Sequence, residues 1–375
     1  MNCRTGLMAA GIFAAASMVS AETITFYIGT GMSATSPSQG IYRSTLDTAA
    51  GKLSDPVLAG QAVNPTFLEI HPNGNFLYAA CGMSGQPGTL NSFAIDRATG
   101  NLKPINEQPS GGTNPLHVSI DQKAQVLLVA NYGDGVVESV PIASNGSLGA
   151  PASTIRHTGS SVNAQRQAGP HAHSIFASPD NNYVYVPDLG IDKIMIYRLD
   201  SAKATLTPNN PASVQVTPGS GPRHFIFHPN GKFLYLLTEL NGTVIGYNYN
   251  AANGALTEFQ TISVLPDGYA GAISCAEIRV HPSGRFLYAS NRGNNAITVF
   301  QVDPANGRLT VVEQETAGLN TPRNFNVDPT GAFLLAANQN GNSISLYRIN
   351  QETGALDIAG PMVLVPTPLC IRFLR

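Results

Sequence analysis

Charge is scarce in this sequence. Only 12% of its 375 residues are Asp, Glu, Lys or Arg, and the formal net charge is -2. No basic run or face is present, which argues against nucleic acid as a partner. Cysteine is scarce too. There are four, with no Cys-x-x-Cys and no Cys/His cluster, so nothing in the pattern points to a metal. There is no Gly-x-Ser-x-Gly elbow to carry a serine nucleophile and no Gly-rich phosphate loop to hold a nucleotide cofactor. No segment sustains a helical apolar period, and tryptophan is missing altogether. What is plentiful is glycine (37) and proline (26), set among short apolar runs that make up a 43% hydrophobic chain. That mixture suits many short strands joined by turns.

Residues 1–21 have a character of their own. Arg4 gives a positive start, Leu7 to Val19 is an Ala-rich apolar run, and Val19-Ser20-Ala21 fits the small-residue rule for signal peptidase. The run is short for a membrane span, which needs about 20 residues. Cys3 precedes the run and so is no lipid-attachment site. The expectation is a signal peptide over 1–21, a mature chain over 22–375, and a periplasmic or secreted protein with no membrane attachment after cleavage. Cys81, Cys275 and Cys370 then remain. An odd number forbids complete pairing within the chain. All three fall inside expected strands and read first as small buried hydrophobes.

The mature chain repeats one unit. A proline opens a short apolar strand at Pro65, Pro115, Pro170, Pro222, Pro322 and Pro368, and Cys275 fills the one double gap. A turn follows, as in His71-Pro72-Asn73-Gly74, His228-Pro229-Asn230-Gly231 and His281-Pro282-Ser283-Gly284. A second strand such as Phe233-Leu234-Tyr235 comes next. A third alternates apolar and polar, as in Ser343-Ile344-Ser345-Leu346-Tyr347. An Asn-Gly type turn leads to a fourth. Four antiparallel strands per repeat predict an all-β, seven-bladed propeller as a single domain. The chain enters at Thr23–Ile28 as if on a second strand and leaves at Leu369–Leu374 as if on a first. The C-terminal strand should therefore close the ring and remove its open edges.

Antiparallel strands joined by a tight turn bring the start of one beside the end of the next. Arg223 and Glu239 are thereby placed at one end of a hairpin. Across the repeats, the residue after the opening position reads Thr66, Leu116, His173, Arg223, Ala276, Arg323 and Leu369. The residues closing the second strands read Gly82, Tyr132, Leu189, Glu239, Arg292 and Gln339. Inner strands line the central channel, so both rings should crowd its mouth. Adjacent blades four to seven then gather His173, Arg223, Glu239, Arg292 and Arg323, with Asp188, Asn291 and Asn338 one residue earlier on their strands. Blade four carries a two-residue insertion, nine residues from Pro170 to Pro179 against seven elsewhere, which creates His171-Ala172-His173.

An Arg–Glu pair alone could be a rim ion pair worth about 0–1 kcal/mol. A histidine and two further arginines at matching positions favour a site. His71, His228 and His281 recur because the turn recurs, and read as structural. His117 and His224 fall between core and site support, and His157 lies in a loop that gives no reading. Arginine at the mouth would bind an anion bidentately or stabilise an oxyanion, and His or Glu would move a proton. That chemistry suits water addition to an activated ester or proton-coupled ring closure.

The chain resembles the seven-bladed propeller lactonases, which include propeller-type 6-phosphogluconolactonase and fungal carboxy-muconate cyclase. The resemblance rests on Gly221-Pro222-Arg223-His224, Thr238-Glu239-Leu240-Asn241, His173-Ser174 with Ser178-Pro179-Asp180-Asn181, Asn291-Arg292, and Pro322-Arg323-Asn324-Phe325. It implies a catalytic group of His173, Arg223, Glu239 and Arg292, the same group that the repeat alignment gathers. The alignment and the blade-four insertion add His171, His224, Asn291, Arg323 and Asn338 as expected substrate contacts, and the chemistry calls for no cofactor. The resemblance departs where Asn291 replaces an aspartate common before the blade-six arginine, and in lacking tryptophan. Export sits poorly with a cytosolic sugar phosphate. The expected activity is hydrolysis of an anionic or sugar-derived lactone, with Glu239 or His173 as the base. A related lactone-forming or lactone-opening cyclase or lyase, and a non-catalytic exported ligand-binding propeller, are the alternatives.

Overall fold

The computed structural model describes residues 22–31 and 37–375, so the expected signal peptide lies outside the described residues. Every regular element among them is a strand. They form seven antiparallel sheets. The innermost strands are Pro65–Ile70, Pro115–Ile120, Phe176–Ala177, Pro222–Phe227, Cys275–Val280, Pro322–Val327 and Pro368–Phe373. The last of these pairs with Thr23–Thr30, with Phe26 opposite Phe373 and Ile28 opposite Ile371. The chain's two ends are thus stitched into one blade, called blade 1 here, and the others follow in chain order.

Each sheet buries apolar side chains on both faces against its neighbours. Phe225, Tyr185, Leu236 and Ile245 fill the space between blades 4 and 5, and Phe325, Tyr288, Leu334 and Tyr347 that between blades 6 and 7. Cys81, Cys275 and Cys370 are buried and unpaired among these cores.

Two repeated polar devices join one blade to the next. The turn histidines reach across it, His228 Nε2 lying 2.8 Å from the Gly284 carbonyl and His281 Nε2 2.8 Å from that of Gly331. Gly284 and Gly331 have φ of 74° and 77°, and a Cβ there would press against the histidine ring, so the turn needs glycine. The tyrosines of the second strands act likewise. Tyr185, Tyr235 and Tyr288 bury their rings and donate their hydroxyls to the carbonyls of Gly254, Gly307 and Gly354. This is why histidine and tyrosine recur in step with the repeat.

Candidate active site

The inner strands carry a shared irregularity. In blade 5, Pro222 pairs with Thr238 and His224 with Leu237, which leaves Arg223 unpaired in a β-bulge. Thr66, Leu116, Arg323 and Leu369 occupy the same bulged position in their strands. A bulge re-aims a side chain and ends regular pairing. Here it brings Thr66, Leu116, Arg323 and Leu369 to the channel mouth, with Arg223 just beneath it. Blade 4 departs further. Its insertion reduces the inner strand to Phe176–Ala177, and His173 is held by its backbone N–H on Pro187 O at 3.0 Å.

The mouth opens on a cavity of about 620 Å³ whose ionisable wall is Arg166, His173, Glu239, Arg292 and Arg323. Glu239 is its hub. One carboxylate oxygen accepts from Arg166 at 2.7 Å; the other lies 2.8 Å from Arg223 Nε and 3.2 Å from an Arg292 terminal nitrogen. His173 Nε2 stands 3.9 Å from the same oxygen. Burial alone would raise this carboxyl, but Arg292 and Arg223, then Arg166, outweigh it and hold it down to about 2. His173 is driven well below the ordinary imidazole range by burial, then by Arg223, His224 and Arg323. It is therefore neutral at physiological pH.

Arg323 differs from the other arginines. It lines the cavity without a hydrogen bond or ion pair to any described residue. Burial, with repulsion from Arg292 and Arg223, pushes its guanidinium down to about 9. Four guanidiniums against one carboxylate leave three positive charges in excess (4 − 1 = 3). Such an excess favours an anionic ligand, and Arg323 is the guanidinium placed to hold it.

The sequence expectations divide cleanly. His173, Glu239, Arg292 and Arg323 do line the cavity. Arg223 does not. It is 1% exposed, bonded to Glu239 and to the Ala276 carbonyl, and lies beneath the floor, where it fixes the carboxylate instead of meeting a ligand. His224 is one layer deeper, 3.2 Å from Glu277. His171 stacks on Tyr132, with centroids 4.5 Å apart and Nδ1 2.7 Å from the Tyr132 carbonyl, so it supports a wall residue from behind. Asn291 accepts from Ser274 N and Gly293 N, while Asn338 donates to Gly318 O and Ser345 Oγ. Both are buried loop braces. Asn131 and Asp188 brace the matching loops of blades 3 and 4, so the position is structural in these blades too.

Sequence reasoning missed Arg166. It sits in the long stretch between blades 3 and 4, off the repeat. That stretch is pinned at several points. His157 is buried between Asp188 and Tyr197, Ser161 donates to Asp192, and Gln167 donates to the Leu189 carbonyl and Asp192. The only signal in the sequence was the longest repeat, Pro115 to Pro170, once Cys275 is counted as the opening residue of its own repeat. Among the described residues no group of three His, Cys, Asp or Glu is placed to hold a metal.

Comparison with known proteins decides the family. The model described as "Lactonase, 7-bladed beta-propeller" matches residues 25–373. The chain belongs to this lactonase family. A 6-phosphogluconolactonase of Bacillus subtilis is 39% identical over 353 residues, covering 94% of this chain and 99% of that protein. One from Formosa agariphila is 36% identical over 294 residues, 77% of this chain and 82% of its own length. Among solved structures, the periplasmic gluconolactonase of Pseudomonas aeruginosa superposes with a TM-score of 0.88 at 31% identity, covering 94% of this chain and 99% of that one. The Bacillus and Pseudomonas proteins match over nearly the whole ring.

Proposed function

We propose that the chain hydrolyses a sugar-derived lactone bearing an anionic group, with His173 as the general base. The observation that carries this reading is Arg323, an unpaired guanidinium in a cavity that also offers a neutral imidazole. Arg323 binds the anionic substituent. Arg292 and Arg166 stabilise the charge that develops on the carbonyl oxygen as water adds. Glu239, held near 2, is too weak a base to take that water's proton. Its role is to keep three arginines side by side. His173 Nε2 takes the proton and returns it to the ring oxygen when the C–O bond breaks. An anionic substrate shields the arginines that depress His173, so substrate binding itself raises the basicity of the imidazole.

The relatives named above support the reaction class, and the leader-like 1–21 segment supports a periplasmic or secreted site of action. The test is base uptake at constant pH by the mature chain on gluconolactone and its 6-phosphate. Turnover is expected, with His173→Gln lowering kcat by about 10²–10⁴-fold, the usual share of a general base. Binding of a lactone with no turnover above background would make the protein a binder and overturn the reading.

A further inference from the structure

Below the bulged layer the inner strands present a second layer to the channel: Phe67, His117, His224, Glu277, Asn324 and Cys370. It is polar on one side and tightly specified. Glu277 Oε1 accepts from His224 Nδ1 at 3.2 Å and from the Ile278 N–H at 3.0 Å. Its Oε2 accepts from Asn324 Nδ2 and lies 3.5 Å from Arg279. Asn324 is itself oriented, because its Oδ1 accepts the Ile371 N–H at 2.8 Å. These contacts fix tautomers. A carboxylate only accepts, so His224 carries its proton on Nδ1 and leaves Nε2 as a lone pair. The Ile175 N–H donates to His117 Nδ1 at 3.4 Å, so the His117 proton is on Nε2.

Three imidazole nitrogens in this cluster are buried without a partner: His117 Nε2, His173 Nδ1 and His224 Nε2. Native interiors rarely leave such atoms unsatisfied, and ordered water is the usual remedy. The rings of His117 and His173 lie 5.4 and 5.2 Å from that of His224. A void of about 10 Å³, lined by Thr66, His173, Arg223, His224 and Arg323 among others, has room for one water molecule.

We propose that one water held between His173 and His224 makes the buried His224–Glu277 pair the proton relay behind His173. The water donates to the His224 Nε2 lone pair and accepts from the His173 Nδ1–H. That leaves His173 Nε2 as a lone pair facing the cavity. When the attacking water forms its bond to the lactone carbonyl carbon, its proton passes to His173 Nε2. The His173 Nδ1 proton moves to the buried water, which gives one of its own to His224 Nε2. No proton is lost or gained, and the resulting imidazolium rests on Glu277. The flow reverses as the ring C–O bond breaks and the alkoxide is protonated. His224 and Glu277 never touch substrate and are positioning residues. The charged and titratable groups that face His224 are His117, His173, Arg223, Glu277 and Arg279, and Glu277 is the one carboxylate among them.

This inference rests on the lactonase reading, and the experiment separates the two. Glu277→Gln keeps the shape and His224→Phe keeps a ring, so both are measured for kcat, KM and melting temperature. The expectation is a kcat at least about 10-fold lower at nearly unchanged KM, the sign of lost proton transfer as opposed to lost binding. The second readout is kcat in mixtures of light and heavy water. A curved dependence, showing several protons in flight, is expected for the wild type and a linear one for the variants. Wild-type turnover with a linear dependence, or variants that keep the wild-type kcat, overturns the relay and leaves the lactonase reading standing. Absence of turnover by the wild type overturns both.

Discussion

At the scale of single residues, the site is organised by one acid. Glu239 is 4% exposed and faces three arginines, so its ionised form is held by Coulomb attraction in a poorly solvated place. Glu239→Gln keeps the shape but leaves those guanidiniums uncompensated. Removing one partner of a buried ion pair costs about 3–5 kcal/mol, and the exposure of Arg166 moves the expectation to about 3 kcal/mol or less. A clearly lower melting temperature together with lost turnover is the expected outcome; an unchanged melting temperature would show that the arginines do not depend on this carboxylate. His173, Glu239, Arg292 and Arg323 were legible from the repeat alone, because each occupies a position whose direction the fold dictates. Arg223 was placed correctly along the chain but not in depth. Which of two stacked side chains meets the cavity depends on packing that a register cannot express. Asn291 and Asn338 misled for a related reason. Polarity beside a site looks functional, yet the loops after the second strands of blades 3 and 4 carry the same brace.

At the scale of elements, one recurring device and one departure from the repeat build the site. The bulges carry Thr66, Leu116, Arg323 and Leu369 to the mouth, and the stretch between blades 3 and 4 delivers Arg166. Sequence patterning finds what recurs and is blind to a residue supplied once. The anchoring of that stretch makes its own prediction. Gln167 donates to the Leu189 carbonyl at 2.8 Å and to Asp192 at 2.7 Å immediately after Arg166. Gln167→Ala should loosen Arg166 and lower kcat several-fold, and Arg166→Ala should do the same. If both act through one contact, the double variant should be hardly worse than Arg166→Ala. Additive effects would place Gln167 in a separate role.

At the scale of the molecule, the ring is one cooperative unit closed by Pro368–Phe373 against Thr23–Thr30. Deleting residues 368–375 removes the inner strand of blade 1 and reopens an edge on each side. A lost or strongly lowered thermal transition is expected, and an unchanged melting temperature would contradict the closure. The seven-blade count and this closure could both be read from sequence, since a repeat declares its own period and phase.

The channel also sets how stability depends on pH. Burial depresses His117, His173 and His224, the last from 6.5 to about 4, and arginines hold Glu239 and Glu277 near 2 against the cost of burial. In each case the unfolded chain binds more protons than the folded one, so stability falls as pH falls. The histidine share is lost between about 6.5 and 4, and the glutamate share below 4.5. Melting temperatures should decline steadily below pH 6.5, whereas a flat profile down to pH 4 would show that the buried histidines are not neutral.

The central claim is that an unpaired Arg323 makes this mouth a receptor for an anionic lactone. Its most direct test is kcat/KM for 6-phosphogluconolactone and for gluconolactone in the wild type and in Arg323→Gln. The account predicts a wild-type preference for the phosphorylated lactone that falls by about 10-fold or more in the variant, as loss of a charge-assisted contact worth about 1.5–3 kcal/mol requires, while gluconolactone turnover changes little. Equal preference in both proteins, or equal loss on both substrates, would contradict it.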